Sequence, residues 1–137
     1  MTLYESNYIR LGWLVGNLCA LAGSQRSRVD GDCELKLTVL ERGPYTTTLT
    51  LTYLFPDDGA GVEDPNLEIR VYHDARLAEA RTDAPKAAHA ALRALRERAQ
   101  REASEEALGQ RWARNMMLNK WLEYCRDRGH RFDSIRV

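Results

Sequence analysis

Apolar residues recur near the start of the chain at steps of three and four: Tyr4, Tyr8, Leu11, Val15, Leu18 and Ala22, flanked by Leu14 and Leu21. This spacing predicts an amphipathic helix over 3–22, ended by Gly23 and Ser24. The stretch GSQRSRVDGD follows as a loop. The period then changes from helical to two. In CELKLTVLE, Cys33, Leu35, Leu37 and Val39 alternate with Glu34, Lys36 and Thr38. RGP at 42–44 reads as a turn. YTTTLTLTYLF then sets Leu49, Leu51, Tyr53 and Phe55 on one face and Thr48, Thr50 and Thr52 on the other. PDDGAGVEDPN is a run of turn formers. In LEIRVYH, Leu67, Ile69 and Val71 point inward and Arg70 and Tyr72 outward, and DAR turns the chain into a short strand at 77–81. Alternation this strict predicts half-buried strands of an antiparallel sheet with one wet face.

Helical spacing returns at Pro85, with Thr82 or Asp83 as the cap. KAAHAALRALRERAQREASEEA has a thin apolar stripe (Ala88, Leu92, Leu95, Ala99) and opposite charges four residues apart, such as Arg93 and Glu97. It predicts a surface or projecting helix over 82–110, broken near Gly109. A stronger helix follows over about 110–127. Met117, Leu118, Trp121, Leu122 and Cys125 form its stripe, and Gly129 ends it. HRFDSIRV, 130–137, is left as a tail. Asn115 is unusual inside a helix, because its side chain competes for backbone groups. It suggests a buried polar network reaching Glu5 or Asn7 on the first helix. The strands come as one block, so the chain is α+β. The expected architecture is a single domain over 1–137: an N-terminal helix, about four antiparallel strands and two C-terminal helices. The first and last helices cover the apolar face of the sheet.

Composition narrows the function classes. Of 137 residues, 44% are hydrophobic and 29% charged, which suits a globular domain with a real core. No apolar run approaches the roughly 20 residues of a membrane span. Glu5 and Arg10 interrupt the first apolar block, which fits a core helix better than a signal peptide and sets cytoplasm as the expected location. Cys19, Cys33 and Cys125 are scattered, with no CxxC, and read as reduced, buried thiols. His73, His89 and His130 have no metal-ligand spacing, and neither a P-loop, a GxGxxG nor a nucleophile elbow occurs. No cofactor or metal is expected. Net charge is zero overall but uneven: −5 over 1–80 and +4 over 111–137. A neutral total argues against nucleic acid as the partner.

The candidate chemistry clusters on the third strand. Parity places Arg70 and Tyr72 on the same face as Thr48, Thr50 and Thr52. Arginine offers a planar fork of donors to phosphate or carboxylate, and a nearby tyrosine can stack on a base or donate its hydroxyl. The bland alternative is a solvated face built from good strand formers. His73 continues the inward parity of Val71; a catalytic reading would pair it with Glu41 or Glu79. His73 and the adjacent Asp74 point to opposite faces and make no pair. After the last helix, Arg126, Arg128, His130 and Arg131 form a basic cluster. It serves either to end the helix or to dock an acidic partner or RNA.

Four fragments together carry a family resemblance: YESNY at 4–8, LTVLERGPYTTTLTL at 37–51, LEIRVYHDARLAEA at 67–80 and NMMLNKWLEYC at 115–125. In this order they resemble the YqiB family, small bacterial proteins without an established activity. The chain departs from that pattern at 82–110, where it carries Ala, Arg and Glu. Gene neighbours of the family act on ADP-ribose and cyclic AMP, which implies a link with nucleotides. The expectation is therefore a non-enzymatic binding or regulatory protein. It would recognise a nucleotide-like anion or a protein partner through Arg70, Tyr72, Thr48 and Thr50, with Arg126, Arg128 and Arg131 as a partner-binding patch. The alternatives are a small hydrolase or transferase using His73, and a homodimer closed through the sheet face.

Overall fold

The computed structural model describes residues 1–18, 22–55, 62–63, 67–81, 94, 98 and 109–132. Helix α1 spans Leu3–Leu14. Six strands follow: β1 Ser24–Ser27, β2 Glu34–Arg42, β3 Thr46–Phe55, β4 Val62–Glu63, β5 Leu67–Tyr72 and β6 Leu77–Ala80. Helix α2 spans Gly109–Asp127. The fold is α+β. One antiparallel sheet runs in the order β1-β2-β3-β5-β6, with the short β4 paired to the end of β3.

Why these segments fold so follows from their faces. Leu35, Leu37, Leu49, Leu51, Tyr53, Leu67, Ile69 and Val71 take one side of the sheet and are fully buried. They meet Leu11, Leu14 and Val15 from the α1 end and Met117, Leu118, Trp121, Leu122 and Cys125 from α2 in a single core. Each such side chain contributes about 1.5–3 kcal/mol by leaving water. The two helices thus cover one sheet face, as their stripes predicted. At the start of α1, Thr2 Oγ1 accepts the Glu5 amide and the Glu5 carboxylate accepts the Thr2 amide, a capping box. These two bonds hold the Glu5 carboxyl below its ordinary range.

Several expectations are corrected. α1 stops at Leu14, well short of 22. Val15 is extended (φ −119°) and bridges to Phe132, whose amide donates to Leu14 O at 2.7 Å. Tertiary pairing has overridden the helical period there. The GSQRSRVDGD loop contains a strand, β1, because Ser24–Ser27 find partners along Leu35–Thr38. The last helix begins, among the described residues, at Gly109, one residue before the expected start. The start of the tail is packed: His130 and Phe132 are both buried. The threonine face is less wet than alternation implied, with Thr48 and Thr52 buried and Thr50 half-buried. The Arg70 guanidinium lies against Thr48, and Thr52 turns its hydroxyl onto Tyr53 O. Expectations that fall outside the described residues include most of the 82–110 helix with its cap and His89 (Ala94, Arg98, Gly109 and Gln110 are helical), Cys19, most of the 56–66 loop and the tail beyond 132. Among the described residues, no helix is long and apolar enough to cross a membrane.

Edge strand β6 is closed by the helices. Ala80 N donates to Asn115 Oδ1 (2.8 Å), Asn7 Nδ2 donates to Ala78 O (3.4 Å), and Arg114 Nε donates to Ala80 O (3.2 Å). An uncovered edge offers a row of backbone groups to any passing strand; here asparagine side chains from α1 and α2 occupy it.

Candidate functional site

The sheet face opposite the helices is built by register. Thr48, Arg70 and Glu79 stand side by side across β3, β5 and β6, with Thr50 opposite Glu68 and Thr46 opposite Tyr72. Tyr72 Oη donates to Glu79 Oε1 at 2.8 Å, and Arg111 Nη2 donates to Glu79 Oε2 at 3.0 Å. The Glu79 hydrogen bond is the main cause that raises the Arg111 pKa further. Arg81 reaches Glu68 at 3.9 Å. Arg70 differs from its neighbours. Its sole contact among the described residues is a long bond from Nε to Thr48 Oγ1, at 3.5 Å. The carboxylate next to it in register, Glu79, is already held by two other donors, and among the described residues none forms an ion pair with the half-buried Arg70 guanidinium. Arg70, Thr48, Thr50 and Tyr72 are therefore brought onto one face, as the alternation implied. The Tyr72 hydroxyl is committed to Glu79, which leaves its ring as the part that could meet a ligand.

His73 lies elsewhere. It follows Tyr72 at the end of β5, and its Nε2 is 2.7 Å from Oγ1 of the buried Thr47. Burial lowers its pKa, with the nearby Arg42 adding to this and Asp74 opposing it. Neither proposed carboxylate partner is assembled with it: Glu79 is bound to Tyr72 and Arg111, and Glu41 is exposed at the bulge around Leu40. A lowered histidine pKa has a consequence for stability. Above the ordinary value of about 6.5, both folded and unfolded states hold neutral His73. Below it, the unfolded chain binds the proton first, so folding is opposed. Wild type should lose stability relative to His73→Gln as the pH falls from about 7.5 to about 5, read as urea midpoints. A constant difference between the two proteins would contradict this placement.

The basic cluster after α2 is split. Arg126, Arg128 and Arg131 are exposed, whereas His130 is buried and belongs to a separate chain of bonds. His130 Nε2 lies 2.9 Å from Asp32 Oδ2, and Tyr53 Oη donates to the same oxygen at 2.9 Å. Nδ1 lies 3.0 Å from Ser27 Oγ, which accepts the Arg131 amide at 3.0 Å. The Asp32 carboxylate accepts from Nε2–H, and in a neutral imidazole the Ser27 hydroxyl then donates to Nδ1. Serine, imidazole and carboxylate in series have the parts of a nucleophile relay. Here, however, Ser27 is 5% exposed and its oxygen already accepts a backbone amide. The chain acts as a clasp that ties residues 130–132 to β1. The same burial pushes the Tyr53 hydroxyl and the Cys125 thiol far above their ordinary pKa values, so neither ionises. Cys33 is raised as well, by burial and then by Asp32, and both cysteines are free thiols. The sequence offered one signal for this clasp: His130 directly follows a helix-ending glycine, where a docked segment begins.

A second set partly anticipated is the asparagine network. Asn7 Nδ2 reaches Asn115 Oδ1 at 3.4 Å, and Asn119 Nδ2 donates to Asn7 Oδ1 at 3.0 Å and to Ser6 Oγ at 2.9 Å. Asn7 and Asn115 meet as expected, Asn119 joins them, and Glu5 does not, being occupied in the cap. Among the described residues, no group of three or more His, Cys, Asp or Glu is placed to hold a metal ion.

Comparison with known proteins gives one match. No curated protein and no solved structure matches the chain. Residues 10–131 match the family model described as "Protein of unknown function (DUF1249)". That span takes in the sheet, the clasp and all of α2, and the chain therefore belongs to the DUF1249 family.

Proposed function

We infer that this is a small, non-enzymatic cytoplasmic binding protein whose ligand is a nucleotide-like anion, taken on the sheet face around Arg70. The observation that carries the reading is the isolated guanidinium. Arg70 is half-buried with no ion pair among the described residues, beside a carboxylate held by other groups. A planar cation in this position suits a phosphate or carboxylate, which would bond it through two parallel N–H donors. The buried Thr48 backs the guanidinium, the half-buried Thr50 lies on the same face to bond a further oxygen, and the Tyr72 ring supplies a flat surface one step along β5. The resemblance to the YqiB family, with its nucleotide-hydrolysing gene neighbours, favours a nucleotide over a simple anion.

The test is a thermal-shift screen against mononucleotides, cyclic nucleotides, ADP-ribose and inorganic phosphate, with Arg70→Ala alongside. A ligand specific to the folded state adds about 2.7 kcal/mol at a hundredfold excess over its Kd. The expected result is a shift with at least one nucleotide that disappears in Arg70→Ala, whose unliganded melting temperature stays close to wild type. A shift that survives the substitution, or none with any compound, would overturn the assignment.

A further inference from the structure

Three elements end at one pole of the molecule: α1 at Leu14, α2 at Asp127 and β1 at Ser27. The Phe132 amide on Leu14 O, the Arg131 amide on Ser27 Oγ and the Arg128 guanidinium on Gly31 O (2.9 Å) hold them together. Closing the clasp gathers arginines that are far apart in sequence. Arg26 and Arg28 flank Ser27, and Arg126, Arg128 and Arg131 come from the C-terminal end. Arg26 and Arg28 are both committed to Glu34, and Arg10 to Glu123, whose pKa it lowers. Arg126 and Arg131 have no carboxylate partner among the described residues. The Arg126 guanidinium carbon lies over the Trp13 ring, 4.1 Å from its centroid, and that of Arg128 lies over Tyr124 at 5.5 Å.

Arginines at the end of a helix commonly serve its last carbonyls. At this helix that work is done by backbone. Gly129, at φ +92°, donates to Arg126 O at 2.9 Å, and His130 N donates to Cys125 O at 3.0 Å, the paired bonds of a Schellman motif. The guanidiniums are thus not needed as caps: Arg128 holds Gly31 O, and among the described residues Arg126 and Arg131 form no ion pair. Asp30 and Asp127 are exposed near the same pole and give it a mixed rim, but the three C-terminal arginines outnumber them.

We propose that this pole docks a short acidic segment of a partner protein, with side-chain carboxylates on Arg126 and Arg131. Trp13 stacks against the exposed Arg126 guanidinium and limits its movement, so a carboxylate pairs with an arginine already placed rather than a freely moving one. Charge decides between a peptide and a nucleic acid. The chain is neutral overall and carries −5 over its first 80 residues. A phosphate backbone would be repelled beyond the pole, whereas a short acidic segment ends before that repulsion builds.

The experiment is fluorescence anisotropy of the full chain with a labelled ten-residue peptide of alternating Glu and Asp, and separately with a labelled ten-nucleotide oligo-dT. Peptide binding should weaken about tenfold or more in the double variant Arg126→Gln/Arg131→Gln. It should stay unchanged in Arg70→Ala and exceed oligo-dT binding at about 150 mM salt. Arg126→Lys/Arg131→Lys, which keeps the charge but loses the stacked fork, should fall between the two. No peptide binding by wild type would overturn the proposal. So would equal binding by the Gln variant, or tighter binding of the oligonucleotide through the same arginines. Circular dichroism of each variant confirms that it is folded, so that a loss of binding reports on the pole itself.

Discussion

Replacing Asn115 by leucine should destabilise the protein by about 3 kcal/mol, seen as a lower urea midpoint with an unchanged m-value. Leucine has the same branched heavy-atom skeleton as asparagine, so no cavity is created and the loss is chiefly one of hydrogen bonds. It comes from what the amide does at 0% exposure. Asn115 Oδ1 accepts the Ala80 amide at 2.8 Å and Asn7 Nδ2 at 3.4 Å, while Nδ2 donates to Arg111 O at 3.0 Å. Leucine leaves a buried backbone N–H on the edge strand and weakens the partners of a buried asparagine on the other helix. Each unsatisfied buried group costs about 1–3 kcal/mol. Against a typical total of about 5–15 kcal/mol, the change is large. Asn119→Ala should cost less, about 1 kcal/mol, since Asn7 keeps its bonds to Asn115 and Ala78. If Asn115→Leu unfolds at the wild-type midpoint, the asparagines do not hold the helices to β6.

His130→Ala should have an effect of similar size, about 3 kcal/mol, through a different route. The imidazole is the central link between Ser27 on β1, Asp32 in the following loop, and the C-terminal segment. Removing it takes a donor from a carboxylate whose side chain is 1% exposed and opens a void beside Tyr53, whose ring centroid lies 6.0 Å away. A buried carboxylate short of a donor is costly because water cannot replace what is lost. Tyr53→Phe removes another donor and should cost about 1–2 kcal/mol. The two substitutions share Asp32, so their effects should not add. The result expected from His130→Ala, beyond the lower midpoint, is faster proteolysis at the C-terminal end, because residues 130–132 keep only the Arg131 amide on Ser27 as a tether to β1. Unaltered stability together with unaltered proteolysis would contradict the clasp.

The strands were legible in the sequence because each presents one apolar face: Leu35 to Val39, Leu49 to Tyr53 and Leu67 to Val71 alternate without a break. Burial follows that alternation along β5, but in β3 Thr48 and Thr52 on the other face are buried as well and Val39 is only half-buried. The α2 stripe was legible for the same reason. β1 was not. Ser24–Ser27 has no apolar residue at all, and it becomes a strand only because Leu35–Thr38 present an edge to it. The end of α1 was hidden too, since the helical period continues through Val15 and Leu18 while tertiary pairing with Phe132 stops the helix. Of the candidate site, the shared face of Arg70, Tyr72, Thr48 and Thr50 follows from parity alone. What alternation could not give is which charges cancel. That Glu79 would go to Tyr72 and Arg111, leaving Arg70, depends on α2 bringing Arg111 to the β6 edge. His130 and Asp32 are 98 positions apart, and composition made one look basic and the other like loop.

The claim that Arg70 marks a ligand face is tested most directly by a two-dimensional NMR titration. The 15N-labelled chain would be titrated with the best nucleotide from the thermal screen, or with ADP-ribose if none stands out. The account predicts shifts confined to Thr48, Thr50, Arg70, Tyr72 and their register partners Glu68 and Glu79, with the Arg70 Nε–H resonance moving furthest. Shifts absent from these residues, or gathered instead around Trp13, Arg126 and Arg131, would contradict it.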